Sequence, residues 1–102
     1  MGSPGPNGNR WRLRGQRPKR ETDAFNSAVT FAAADAYSLR RAIRSRRVVG
    51  AAAIAERQDQ LRRSMEVVGR FLPCRVVDLV TGEVTALETD EDALAFVDRA
   101  SR

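Results

Sequence analysis

The sequence contains no histidine and a single cysteine, Cys74, among its 102 residues. Without histidine, the chain lacks the commonest metal ligand and the usual general base of enzymes. One cysteine excludes an internal disulfide bond, and no histidine is present to activate it as a nucleophile. We therefore expect a protein that is not an enzyme and that needs no cofactor and no metal ion.

Long apolar runs are missing as well. The longest uncharged stretch that falls in a helical pattern, residues 24–34, has 11 residues and includes Asn, Ser and Thr. A helix that spans a membrane needs about 20 mostly apolar residues. The sequence therefore predicts no membrane span, and we expect an intracellular, cytoplasmic protein.

Two apolar stripes at helical spacing dominate the middle of the chain. The first consists of Phe25, Val29, Ala32, Ala36, Leu39 and Ile43, and the second of Ile54, Leu61, Met65, Val68 and Leu72. Steps of three and four residues place each stripe on one face of a helix. The pattern predicts amphipathic helices over about 23–47 and 51–72, with Thr22 or Asp23 as the first cap. Pro73 cannot continue the second helix.

The two stripes are out of register with each other. Continuing the first stripe leads to Arg46 and Gly50, which are not apolar side chains. A break within residues 46–50 explains the shift, since Gly costs about 1 kcal/mol relative to Ala inside a helix. This favours an antiparallel helical hairpin. The alternative is one bent helix, which would need a partner chain to bury its stripe.

After Pro73 the pattern changes to short runs of β-branched residues around Gly82. These runs predict a β-hairpin over 74–88 with Gly82 at a position of positive φ. Thr89 and Asp92 then have the spacing of a capping box, which predicts a helix over 89–101. The fold class is therefore α+β, with a helical hairpin followed by a β-hairpin–helix unit in a single small domain over residues 21–102.

The first 20 residues have the composition of a disordered basic arm. They contain four glycines, three prolines, six basic residues and no acid, which is too little apolar area to offset chain entropy. Within the arm, arginines alternate with Trp11 and Leu13. Arginine binds phosphates and the indole stacks on bases, so this segment suits a nucleic acid. It would also suit an acidic membrane surface, an acidic protein groove, or the role of a solvated tail.

A second basic cluster lies at the predicted end of the first helix, where Arg40, Arg44 and Arg47 share one ridge. Residues 1–20 carry a charge of +6, whereas residues 76–102 carry −5. The acidic C-terminal segment is thus as good a partner for this cluster as a nucleic acid. Of the 18 basic residues, 17 are arginine, and this preference for arginine over lysine is typical of a coding sequence rich in G and C. The abundance of arginine is therefore weak evidence for phosphate binding.

Two hypotheses for function follow. The first is a structural or regulatory interaction protein whose helical hairpin binds itself, as a dimer, or docks on a larger assembly. Its interface residues are Phe25, Val29, Leu39, Ile43, Ile54, Leu61, Met65 and Val68. The second is a protein that binds RNA or DNA phosphates without reading bases. Its contact residues are Arg10, Trp11, Arg12, Arg14, Arg40, Arg44 and Arg47. We favour the first, because a domain this small has little core of its own.

Overall fold

The computed structural model describes residues 10–102 and confirms the α+β class. Within this range the chain forms β1 (Trp11–Leu13), α1 (Lys19–Arg44), α2 (Arg46–Val49), α3 (Ala51–Gly69), β2 (Cys74–Asp78), β3 (Val84–Leu87) and α4 (Asp90–Ala100). The strands form one antiparallel sheet in the order β1-β2-β3. Helices α1 and α4 pack against its inner face.

Helices α1 and α3 form the predicted antiparallel hairpin. The helix breaks at Ser45 and again at Gly50, which has a φ of +86°. The predicted break is therefore confirmed, and the alternative of one bent helix is wrong. Hydrogen bonds from Ser64 to Asp35 and from Arg57 to Ser38 join the two helices.

The predicted helix ends are less accurate than the helices themselves. Helix α1 begins at Lys19 after Pro18, and no side chain caps it, so the predicted cap at Thr22 or Asp23 is wrong. Proline fits there because its fixed φ suits the residue that opens a helix. Helix α3 ends at Gly69, and residues 70–72 make turns before Pro73.

The segment around Trp11 is a strand and not part of a flexible arm. Trp11 lies opposite Asp78 and Leu13 opposite Val76, and both apolar side chains are only 3% exposed. Alternation of arginine with apolar residues is the period-two pattern of a half-buried strand, which composition alone conceals. The predicted disordered arm is therefore wrong for residues 11–13, and its residues 1–9 lie outside the described residues.

Side chains of α1 cover the outer edge of strand β1. The Trp11 N–H donates to Asn26 Oδ1 at 3.0 Å, and Asn26 Nδ2 donates to the Trp11 carbonyl at 2.6 Å. Next along the strand, the Leu13 N–H donates to Thr22 Oγ1 at 3.4 Å. An edge strand has unpaired backbone groups, and here a buried asparagine binds them as a further strand would.

The hydrophobic core lies between the sheet, α4 and the first two thirds of α1. Its aromatic centre joins Phe96 to Trp11 at 5.6 Å between ring centroids and Phe25 to Phe71 at 5.5 Å. We call residues 37–64 the distal hairpin, because they extend beyond this core. Within the distal hairpin, Ala42 is the only side chain classed as buried.

The C-terminal unit follows the prediction closely. Gly82, with a φ of +78°, lies in the connection between β2 and β3. Thr89 Oγ1 accepts from the Asp92 N–H at 3.1 Å, and the Asp92 carboxylate accepts from the Thr89 N–H, which completes the capping box. Hydrogen bonds from the amides of Glu88 and Thr89 lower the pKa of Asp92.

Candidate interaction surfaces

An open apolar groove runs between the helical hairpin and α4. Its volume is about 830 Å³. The apolar side chains that line it are Leu39, Leu61, Met65 and Leu94. Leu94 is 48% exposed, although it lies in the middle of α4. The antiparallel hairpin and α4 thus leave a strip of apolar surface between them that no other segment of residues 10–102 covers.

Charged side chains of both signs line one end of the groove. Asp90, in the first turn of α4, lines it together with Arg70, and Glu91 lines the adjoining depression on the other side of Leu94; all three are exposed. Neither Asp90 nor Glu91 forms an ion pair with a basic residue in the described part of the chain. Their position at a helix N-terminus is favourable in itself, since the helix dipole stabilises negative charge there.

The distal hairpin is basic at its far end and continues the apolar surface of the groove. Ile43, one turn beyond Leu39 on α1, is 47% exposed, and Val48 in α2 is 89% exposed. The exposed arginines around them are Arg41, Arg44, Arg46 and Arg47. Among residues 10–102, none of these four forms an ion pair with a carboxylate.

Arg40 differs from the rest of this cluster, because the acidic C-terminal segment binds it. Its Nη2 donates to the Ser101 carbonyl at 2.9 Å, and its Nη1 lies 3.7 Å from Asp98 Oδ1. A cation beside the last carbonyls of α4 also complements the helix dipole. The sequence left two partners open for this cluster, the acidic C-terminal segment and a nucleic acid. Arg40 contacts the first of these.

The outer face of the sheet is the second basic surface. Arg12 and Arg14 on the β1 side and Arg75 on β2 point away from the core, and all three are exposed. The Arg14 N–H donates to the Arg75 carbonyl at 2.8 Å, so these two residues lie directly opposite each other. Arg12 and Arg14 were predicted to lie in an arm, and Arg75 has no distinguishing neighbours in the sequence, because only the strand pairing brings the three together.

Other predicted contact residues have structural roles. Trp11 packs edge-on against Phe96, and its burial leaves no ring face for a base, so the predicted stacking role is wrong. Arg10 forms an ion pair with Asp78 at 3.0 Å. Burial acts to raise the pKa of Asp78, but hydrogen bonds from Arg10 and two backbone amides outweigh it, so this pKa is lowered.

The predicted helix interface divides into two parts. Phe25, Val29 and Val68 are fully buried within this chain and are not available to a partner. The members that keep some exposure are Leu39, Ile43, Ile54, Leu61 and Met65. These lie along the groove and the distal hairpin, so the accessible part of the interface is narrower than the stripes indicated.

The remaining features are the single cysteine, the acidic side chains and the apolar character of the helices. Cys74 is buried on β2, and loss of hydration raises the pKa of its thiol despite the nearby charge of Arg17. Over residues 10–102, no three Cys, Asp or Glu side chains converge on a point where they could hold a metal ion. Across the same range, no helix has the length and apolar character needed to cross a bilayer.

Comparison with protein-family models, with curated proteins and with solved structures finds no match. The surfaces of the chain therefore carry the argument about function alone.

Proposed function

We propose that this chain is a non-enzymatic interaction protein that acts as a homodimer, formed through the groove and the distal hairpin. The carrying observation is the apolar floor of the groove, where Leu39, Leu61 and Met65 are half-buried and Leu94 is exposed. Apolar surface that is rimmed by polar residues is typical of protein–protein interaction sites. A second helical hairpin laid on this strip gives a four-helix arrangement, which is a common way for helix pairs to complete their core.

The charges around the strip support a second copy as its occupant. The face is acidic at Asp90 and Glu91, apolar at Leu39, and basic beyond Ile43. A two-fold axis through the apolar middle places the basic end of one protomer on the acidic end of the other. Two-fold dimers use one self-complementary patch on both subunits. The free arginines at the far end of the distal hairpin and the carboxylates of Asp90 and Glu91 support such a pairing, with Arg70 as the basic residue beside Asp90.

The test is the molar mass of the protein in solution, measured by light scattering over a wide range of concentration. Wild-type protein should have twice the 11.3 kDa mass of one chain. Leu94→Glu should be monomeric, because it puts a charge into the centre of the interface. Leu79→Glu is the matched control and should stay dimeric, since Leu79 has a similar exposure of 55% but lies beyond β2, away from the groove.

Charge reversal tests the two-fold arrangement itself. One variant, Asp90→Lys with Glu91→Lys, has two basic ends. A second, Arg44→Glu with Arg47→Glu, has two acidic ends. Each should dimerise weakly alone, and the two should form a heterodimer when mixed.

Two results would overturn the proposal. The first is a wild-type protein that stays monomeric at every concentration, which would leave the groove for an unrelated partner. The second is a Leu94→Glu variant as dimeric as wild type, which would place the interface elsewhere. Failure to pair on mixing would reject the two-fold geometry.

A further inference from the structure

Three arginines stand on the outer face of the sheet, where Arg17 and Glu88 line the same depression as Arg14 and Arg75. Among residues 10–102, Arg12, Arg14 and Arg75 form no ion pair with a carboxylate. Arg12 and Arg14 are two residues apart on one strand, which separates their Cα atoms by about 7 Å. Arg14 and Arg75 are paired across strands, which separates theirs by about 5.5 Å. The three arginine side chains are therefore attached to the backbone within one small area of the sheet.

This arrangement has a local cost. Like charges that lie directly opposite each other on neighbouring strands destabilise a sheet. Other arginines of the chain pair with acids, as in the 2.9 Å contact between Arg63 and Asp59. An anion that binds between Arg14 and Arg75 would remove the repulsion, and it would do so on a surface that the proposed dimer leaves free.

We infer that the outer face of the sheet is a binding site for the phosphodiester backbone of a nucleic acid, centred on Arg12, Arg14 and Arg75. Each guanidinium carries a planar fork of N–H donors that matches two phosphate oxygens. A run of regularly spaced anions fits arginines that are regularly spaced along and across strands. The net charge of +5 attracts a polyanion from a distance.

The rest of the face indicates how the nucleic acid is held. The residues that face outward beside the arginines are Val77, Val84 and Ala86. Leu79 lines a depression with Arg12, and Glu88 lines one with Arg75, and none of these neighbours is aromatic. Bases that are read on a sheet stack on aromatic side chains. The site therefore contacts backbone and sugar without selecting a sequence. An acidic protein is the competing occupant, because Leu79 and Val84 are about half exposed and offer some apolar surface. The regular spacing of the three arginines favours a nucleic acid over it.

The experiment measures fluorescence anisotropy of a labelled single-stranded oligonucleotide as the protein is added, at several salt concentrations. The key variant is the triple substitution Arg12→Gln, Arg14→Gln and Arg75→Gln. Each phosphate neutralised on a single strand contributes about −0.7 to the slope of log K against log salt, so three contribute about −2. Over a tenfold rise in salt, wild-type protein should therefore lose about 100-fold more affinity than the triple variant.

The matched control removes the same total charge at another place, with Arg63→Gln, Arg99→Gln and Arg102→Gln on α3 and at the end of α4. These arginines are exposed and each lies near a carboxylate. The control should keep the wild-type salt slope. Circular dichroism of both variants checks that they are folded.

Three results would overturn the inference. One is wild-type protein that does not bind the oligonucleotide at low salt. Another is an equal change of slope in both triple variants, which would mean that only net charge matters. The last is a labelled poly-glutamate peptide of equal charge that binds more tightly than the oligonucleotide and depends on the same three arginines, which would assign the face to an acidic protein.

Discussion

The part of helix α1 that lies in the core and the part that lies in the distal hairpin carry the same apolar stripe but have different surroundings. In α1, Phe25 and Val29 are completely buried beneath the sheet and α4, whereas Ile43 on the same stripe is about half exposed. The difference arises because α4 ends at Ala100, beside Arg40, while α1 continues to Arg44. An apolar stripe therefore predicts which face of a helix is buried, and the length of the neighbouring elements decides how far the burial extends.

The core part of α1 and the distal hairpin also differ in the interactions that stabilise them. Around Phe25 the helix is held by packing within one chain. In the distal hairpin, helix pairing relies on polar contacts such as the one between Arg57 and Ser38, with Ala42 as its buried centre. Isolated helices of this length are marginal in water. We therefore expect the distal hairpin to depend on a second chain for its stability, and three predictions test this difference.

The largest effect is expected from truncating the core. Phe25→Ala should lower the free energy of unfolding by about 3–5 kcal/mol, because it leaves a cavity among aromatic rings. In the Leu94→Glu background, which we expect to be monomeric, Ile43→Ala should cost less than about 1 kcal/mol. Urea denaturation measures both values. Equal losses would show that the distal hairpin is packed as firmly as the core and would remove the distinction between the two parts of α1.

A smaller and more local effect is expected at Asn26. Asn26→Ala leaves the N–H and carbonyl groups of Trp11 without partners at a buried edge, which should cost about 1–3 kcal/mol. Hydrogen exchange at the Trp11 amide should accelerate more than exchange in α3, and tryptophan emission should shift to the red. Gln60→Ala, at an exposed polar position of the distal hairpin, is the control and should change neither signal. An unchanged Trp11 exchange rate would mean that the asparagine does not hold the strand.

The smallest effect concerns the ion pair between Arg10 and Asp78, which ties β1 to β2. Since the pKa of Asp78 is lowered in the folded protein, its ionised form is favoured by folding. Its contribution is therefore present above the unfolded value, near 3.8, and is lost as pH falls through the folded value. Asp78→Asn should reduce stability at neutral pH by up to about 1 kcal/mol, because the pair is partly exposed.

Denaturation at a series of pH values measures this contribution. The difference between wild type and Asp78→Asn should shrink as pH falls below about 4 and should be constant above it. Asp23→Asn, which replaces an exposed aspartate in α1 outside the ion pairs of residues 10–102, is the matched control and should reduce stability at neutral pH by less than Asp78→Asn does. A difference that grows on acidification would have the opposite sign and would contradict the role given to Asp78.

Features that depend on neighbours in sequence could be predicted from the sequence alone. The capping box of Thr89 and Asp92, the positive φ of Gly82 and the helix break before Ala51 are all set by a few adjacent residues. Strand β1 could not be predicted in the same way, because its partner β2 lies far along the chain and its composition resembles that of a disordered arm.

The same limit applies to the candidate sites. The stripes indicated Leu39 and Ile43 as interface residues, but only the position of α4 shows that they stay accessible and Phe25 does not. Likewise Arg75 has no special neighbours in sequence. It joins Arg12 and Arg14 only through the register of two strands.

The pairing of β1 with β2 also determines the order in which the elements of the fold can come together during synthesis. Arg10 and Asp78, which bond across the join between β1 and β2, are 68 residues apart. The ribosome therefore delivers β1 early, then the complete helical hairpin, and only afterwards the strand that β1 pairs with. Contacts at such long separation form slowly, because a long loop must close first. Until β2 and α4 have been synthesised, Trp11 has neither its paired strand nor Phe96 to pack against, so this tryptophan lacks those two partners while the helical hairpin is being made.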